Sequence, residues 1–108
     1  MDERRMVKVA KALGDATRFA ILRAIVSAGE ISCGEVAARF PIAQATVSHH
    51  LRILGESDLV AVRREGQHSY FRLVPETLVA YRDALHELTR GSRRGRPGRA
   101  AAIGNIDS

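Results

Sequence analysis

Several residue types are scarce in this chain of 108 residues, and each scarcity narrows what the protein can be. There is one cysteine, Cys33, so an internal disulfide is excluded, which is typical of a reducing compartment. No apolar run approaches the roughly 20 residues needed to span a bilayer, and the N-terminus lacks the apolar stretch of a signal peptide. We therefore expect a cytoplasmic protein without membrane contact, built as one domain with a modest core.

The sequence also lacks the residue groupings on which enzymes depend. It offers no nucleophile with a base placed beside it, no pair of carboxylates and no glycine-rich loop that could cradle a phosphate. An enzymatic function is therefore not expected.

The positive charge of the chain is concentrated near its C-terminus. The formal net charge is +5. Residues 89–108 contain five arginines against one acid, whereas basic and acidic side chains nearly balance before them. The Arg/Gly-rich segment 90–108 has no apolar face, so we predict a disordered tail after a domain of residues 1–89. A basic tail hints at nucleic acid, but such tails are often merely solvated.

Apolar residues at spacings of three and four predict two helices near the N-terminus. The first covers Met6–Leu13 and ends at Gly14. The second follows Asp15, which is placed to cap it, and stops before Gly29. We expect this second helix to point four side chains inward and to keep Ile21 on its flank. The four are Phe19, Leu22, Ile25 and Val26.

The next two segments predict a helix-turn-helix. Ser32 and Glu35 match a capping box that starts a brief third helix, and Pro41 ends that helix. After a turn of about three residues comes a fourth helix over 43–54. Two short helices joined in this way form a helix-turn-helix, in which the second helix reads DNA.

The fourth helix has a polar side opposite its apolar stripe of Val47, Leu51 and Leu54. Its amide, hydroxyl, methyl and guanidinium groups are those that read base edges in the major groove. An ordinary solvated helix could carry the same face, and composition alone would favour that interpretation. The candidate DNA contacts here are Gln44, Ala45, Thr46, Ser48, His49 and Arg52.

A β-hairpin is predicted directly after the helix-turn-helix. The β-rich runs 59–64 and 67–73 flank Gly66, which allows the positive φ of a tight turn. A helix-turn-helix followed by a hairpin and a last helix is a winged helix. The predicted fold class is therefore mainly α with a β-hairpin wing, in the order α-α-α-α-β-β-α. The wing residues that we predict near DNA are Arg63, Arg64 and Gln67.

Four motifs, in unbroken order, resemble the ArsR/SmtB family of winged-helix repressors. They are Leu13–Leu22, Thr46–Leu54, Leu59–Val60 together with Arg63–Gly66, and Tyr70–Leu73. The resemblance implies a bacterial transcriptional repressor. It further implies a homodimer that pairs through its first and last helices and binds an inverted-repeat operator in double-stranded DNA.

Apolar residues on the terminal helices support that pairing. A thin core of helices and a hairpin cannot easily cover them within one chain, whereas a two-fold partner would bury them. The alternative is that these helices pack only on their own core. The residues that we predict at the dimer interface are Met6, Val9, Leu78, Leu85 and Leu88.

The cysteine pair with which many family members bind metal is absent from this chain. The matching positions are Ser32, Cys33 and Gly34, so both ligand positions are lost. Asp83 and His86 on the last helix lie three residues apart instead of two, and nothing ten residues later can complete a tetrahedral site. We therefore expect no metal and no cofactor, and we interpret Cys33 as a small buried residue. No residue pattern in the sequence identifies an effector molecule.

A second departure from the family lies just before the reading helix. The usual serine there is replaced by Ala43, which cannot cap the helix through its side chain. The leading hypothesis is nevertheless a sequence-specific repressor. Two alternatives stay open, namely a metal- or redox-responsive sensor of the same family and a nonspecific DNA-coating protein that acts through the basic tail.

Overall fold

Capping residues set the boundaries of the first three helices in the computed structural model, which describes residues 1–93. Asp2, Asp15 and Ser32 each accept a hydrogen bond from a backbone N–H in the first turn that follows them. No side chain caps the fourth helix, because Ala43 precedes it. The helices are α1 (Glu3–Leu13), α2 (Ala16–Ala28), α3 (Cys33–Arg39), α4 (Gln44–Glu56) and α5 (Pro75–Arg93).

Both terminal helices are longer than predicted. α1 begins at Glu3 instead of Met6, because Asp2 supplies its cap. α5 continues to Arg93, past the predicted domain end at residue 89. The remainder of the predicted tail lies outside the described residues, so the division into domain and tail stays a prediction there.

The predicted hairpin is present, and it belongs to a sheet of three strands in the order β1-β3-β2. β1 (Ile31–Ser32) was missed by the sequence analysis, since two residues are too few to show a pattern. It pairs with β3 (His68–Leu73), which also pairs with β2 (Val60–Glu65). Gly66, at a φ of 61°, makes the turn together with Gln67, so the turn lies one residue later than predicted.

The core is formed by α1, α2, α3, α4 and the sheet. The stripe predicted on α4 is confirmed, because Val47, Leu51 and Leu54 are all at most 2% exposed. This stripe leaves the opposite side of α4 facing away from the core. None of the helices within residues 1–93 is long and apolar enough to cross a membrane.

The predicted inward face of α2 was wrong in part. Ile21 is fully buried, whereas Phe19 and Val26 are 45% and 51% exposed. α2 packs against α1, α4 and β3 through Ile21, Leu22 and Ile25. Phe19 and Val26 lie about 100° around the helix from the centre of that face. The prediction turned the inward face of α2 too far around the helix, so it assigned to the core two large apolar side chains that lie at the surface.

Candidate nucleic-acid interface

α4 is fixed by its buried stripe and turns its polar side toward solvent. One contact lies within this side, and another joins it to α3. Arg52 Nη2 lies 3.0 Å from His49 Nδ1, and Ser48 Oγ lies 3.5 Å from Cys33 Sγ at the start of α3. We call the outward residues of α4 the reading face. All of its members are exposed, namely Gln44, Ala45, Thr46, Ser48, His49 and Arg52.

His50 points away from the reading face although it follows His49 directly. It is 9% exposed, and its Nδ1 lies 3.2 Å from Nη1 of Arg18. A guanidinium has donors only, so the ring nitrogen accepts this hydrogen bond. The rings of His49 and His50 are 5.8 Å apart and tilted by 54°. His50 is therefore a structural histidine, and His49 belongs to the exposed side.

The register of the hairpin sends the two wing arginines to opposite faces. Arg63 lies opposite Tyr70, and Arg64 lies opposite Ser69. Because neighbouring residues of a strand alternate between faces, Arg63 lies on the face of the sheet that carries Glu30, and Arg64 lies on the face toward α4. Gln67 is exposed in the turn between the strands.

Arg63 is already engaged within the chain. Its guanidinium donates to Glu30 and to Glu65, both at 2.8 Å, and its Cζ lies 4.7 Å from the centre of the Tyr70 ring. The hydrogen bond from Arg63 holds the pKa of Glu30 below its ordinary value. The two carboxylates offset part of the charge of Arg63, and the pair with Glu30 links β2 to the residue before β1.

Arg64 lines a groove of about 770 Å³ between α4 and the hairpin. The floor of this groove is apolar and includes Leu51, Val62 and Phe71, while Ser48 and Arg52 of the reading face contribute to its walls. Among the ion pairs formed within residues 1–93, none involves Arg64. The structure thus brings Arg64 and the reading face to one concave surface and keeps Arg63 apart from it.

The predicted dimer residues fall into three groups. Val9 belongs to the core of its own chain and is 1% exposed, so it offers a second copy almost no surface. Met6 and Leu78 are half-buried. Leu85 and Leu88 project from α5 and are 41% and 62% exposed.

α2 adds apolar surface that sequence reasoning assigned to the core. Phe19 and Val26 border a groove of about 330 Å³ that ends at Leu78 of α5. Leu85 follows Leu78 by seven residues, which places both on one side of α5. We call Phe19, Val26, Leu85 and Leu88 the apolar face.

The positions considered for metal binding do not converge. Within residues 1–93, no group of three or more histidine, cysteine, aspartate or glutamate side chains could hold a metal ion. Asp83 and His86 are exposed on α5. Cys33 is half-buried instead of buried, because its thiol lies beside Ser48 at the edge of the core.

The helix-turn-helix, the wing and the exposed reading face define a winged-helix DNA-binding protein. Residues 13–63 match a family described as a helix-turn-helix domain. The chain is 37% identical over 81 residues to YceK of Bacillus subtilis, an uncharacterized HTH-type transcriptional regulator, covering 74% of this chain and 81% of YceK. It is 30% identical over 73 residues to the arsenical resistance operon repressor of Staphylococcus aureus, covering 68% of this chain and 69% of the repressor.

Solved structures agree with the sequence relatives. An ArsR-like transcriptional regulator from Rhodococcus sp. RHA1 superposes with a TM-score of 0.77 at 26% identity, covering 95% of this chain and 92% of that chain. The homodimeric winged helix-turn-helix DNA-binding domain of Mb0332 from Mycobacterium bovis superposes with a TM-score of 0.65 at 27% identity, covering 82% and 80%. The chain therefore belongs to the ArsR family and is a transcriptional repressor with a helix-turn-helix DNA-binding domain. The relatives are transcriptional regulators, which fits the expectation that the protein is not an enzyme.

Proposed function

We propose that the protein is a homodimer that represses transcription by binding an inverted-repeat operator in double-stranded DNA. The observation that carries this proposal is the reading face, whose polar side chains are exposed on a helix that the core holds rigidly from behind. Sites built on such anchored helices keep their geometry when the ligand arrives. Such a repressor acts in the cytoplasm, where the operator is.

The groups of the reading face divide into two kinds of contact. Gln44, Ser48 and His49 offer hydrogen bonds to base edges, and Arg52 offers a guanidinium for guanine or phosphate. The methyl groups of Ala45 and Thr46 suit the thymine methyl in the same groove.

The wing adds contacts that do not depend on the sequence of the DNA. We expect Arg64 and Gln67 to contact the backbone of the flanking DNA, since they lie beside the reading helix and at the tip of the hairpin. Arg63 takes a smaller part, because Glu30 and Glu65 already occupy its donors.

The apolar face supports the homodimer. A monomer gains nothing by keeping Phe19, Val26, Leu85 and Leu88 in water, and large exposed apolar side chains on neighbouring helices are typical of an interface. A stable interface buries about 1,200–2,000 Å² in total, more than the α5 leucines alone supply. We therefore place α2 beside α5, and Met6 and Leu78 at the margin, in the contact with the second copy. The homodimeric domain from Mycobacterium bovis has the same fold.

Two-fold symmetry then dictates the form of the operator. The two reading helices enter successive major grooves about 34 Å apart, so the half-sites form an inverted repeat separated by one helical turn. In vitro selection from random duplexes with the full chain tests the proposal, together with the molar mass of the complex in solution.

We expect the selected duplexes to share an inverted repeat bound by two copies of the protein. Selection of unrelated sequences would contradict the proposal and favour nonspecific coating through the arginines near the C-terminus. An asymmetric site bound by one copy would contradict the homodimer while leaving sequence-specific binding intact.

A further inference from the structure

Arg18, near the start of α2, makes side-chain hydrogen bonds to two other helices. Its Nε donates to the carbonyl oxygen of Ala12 at 2.7 Å, and its Nη2 donates to that of Lys11 at 3.0 Å. These carbonyls belong to the last turn of α1, where few backbone N–H groups remain to bond them, although that of Lys11 also accepts from the N–H of Gly14 at 3.3 Å. The third donor, Nη1, reaches Nδ1 of His50 at 3.2 Å. One guanidinium thus joins the end of α1 to the middle of α4.

His50 receives this contact on the buried side of the reading helix. It follows Val47 by one turn and precedes Leu51 of the buried stripe. Because His50 is 9% exposed, water has little access to replace the bond to Arg18. His49 and Ser48 of the reading face lie within two residues of this anchor, so a shift of His50 moves both of them.

A second connection holds the far end of α4. Asp58, in the turn after the helix, has a φ of 62° and accepts a 2.6 Å hydrogen bond at its carbonyl oxygen from the hydroxyl of Thr77 in α5. Its carboxylate also lies 3.3 Å from Arg5 of α1, but both partners are exposed and such pairs contribute little. α4 is therefore attached to α1 at its middle and to α5 at its end.

We propose that Arg18 is a positioning residue which, through His50, sets the placement of α4 relative to α1 and thereby the spacing of the two reading helices in the dimer. The inference rests on the proposed homodimer, in which α2 and α5 contact the second copy and Met6 of α1 lies at the margin of that contact. A displacement of α4 relative to the rest of its chain then changes the distance between the two reading helices. The dimer consequently binds half-sites at a different separation. One base pair corresponds to about 3.4 Å along DNA and about 35° around it, so spacing is a sensitive measure of this displacement.

The test uses the inverted repeat selected by the wild-type chain, the same duplex with one base pair inserted or removed between the half-sites, and a duplex with a single half-site. Arg18→Lys keeps the charge but loses the three directed donors. His50→Leu keeps an apolar volume without the acceptor, and His50→Asn retains an acceptor near the position of Nδ1. Arg82→Lys is the matched control, because Arg82 is exposed and pairs only with its neighbour Asp83 among the described residues.

We expect Arg18→Lys and His50→Leu to weaken binding to the operator of native spacing while leaving affinity for the single half-site unchanged. If the released helix samples about ten orientations of which one fits, the apparent affinity falls about tenfold. Affinity for the altered spacings should change little, so discrimination between spacings narrows. His50→Asn should restore discrimination, and Arg82→Lys should behave as the wild type.

Two outcomes would overturn the inference. One is equal loss at the full operator and at the single half-site, which would make Arg18 and His50 part of the general fold. The other is unchanged discrimination between spacings in Arg18→Lys. This variant retains the buried histidine, so it can be tested even if thermal melting shows that His50→Leu does not fold. A wild-type protein that ignores spacing would instead contradict the homodimer itself, and the inference with it.

Discussion

Two exposed surfaces of this protein have opposite chemistry. The reading face consists of short polar side chains and an arginine, which water solvates well. The apolar face exposes Phe19 and Val26 on α2 and Leu85 and Leu88 on α5, which water solvates poorly. Exposure alone therefore does not indicate what binds. A polar surface can stay exposed to water between encounters with a transient ligand, whereas a large apolar surface is typically buried against a permanent partner.

A charge placed in the apolar face should have a large effect on dimerisation. In Leu85→Glu, dimerisation would bury an unpaired carboxylate on each copy, which costs several kcal/mol. We expect the dimer dissociation constant to rise by about a hundredfold or more, measured by sedimentation equilibrium. The control is His86→Glu, which adds the same charge one residue away on a side chain that is already polar. A wild type that sediments as a monomer at micromolar concentration would contradict the assignment of this face.

Two equally exposed valines allow the apolar face to be distinguished from the groove beside α4. Val26 and Val62 are 51% and 50% exposed, but Val26 belongs to the apolar face and Val62 lies in the groove beside α4. Val26→Asp should weaken the dimer by about tenfold or more, since a carboxylate is costly to desolvate.

Val62→Asp should leave the dimer intact and weaken DNA binding, because it places a negative charge near the phosphates. Sedimentation and operator titration of both variants distinguish the two surfaces. The same change in dimer affinity for both valines would mean that the surfaces are not separate.

The two wing arginines provide a smaller and more local test. Arg64→Ala should weaken binding to all sequences alike and reduce the slope of log affinity against log salt concentration by about one, because one phosphate contact is lost. Arg63→Ala should change that slope less, since Glu30 and Glu65 already offset its charge. Titrations at several salt concentrations measure both slopes. A larger slope change for Arg63 would reverse the roles given to the two residues.

The sequence alone predicts the elements that depend on residues close to one another along the chain. Ser32 and Glu35 form the predicted capping box, and Gly29 ends α2 at a φ of 81°. The stripe of α4 follows directly from the spacing of Val47, Leu51 and Leu54. These features depend on neighbours within one or two turns, which a single sequence displays.

The remaining features depend on contacts between distant residues. The inward side of α2 is decided by α1, α4 and β3, and its own pattern of Phe19, Ile21, Leu22 and Val26 is apolar on too many sides to reveal it. The engagement of Arg63 by Glu30 joins residues 33 positions apart. The bond between Arg18 and His50 spans 32 positions. The spacing of residue types along the chain does not indicate such hydrogen-bonded pairs of distant residues.

We infer that sequence discrimination resides in the reading face and not in the arginines near the C-terminus. The most direct test measures the ratio of affinities for the selected operator and for random DNA in two variants. In Ser48→Ala/His49→Ala, each lost base contact removes about 1–3 kcal/mol of discrimination, so the ratio should fall by up to about a thousandfold while weak nonspecific binding persists. Truncation after Arg93 removes three arginines, so it should lower affinity for both DNAs, flatten the salt dependence and preserve the ratio. Loss of the ratio in the truncated protein, with the ratio retained in Ser48→Ala/His49→Ala, would contradict the claim.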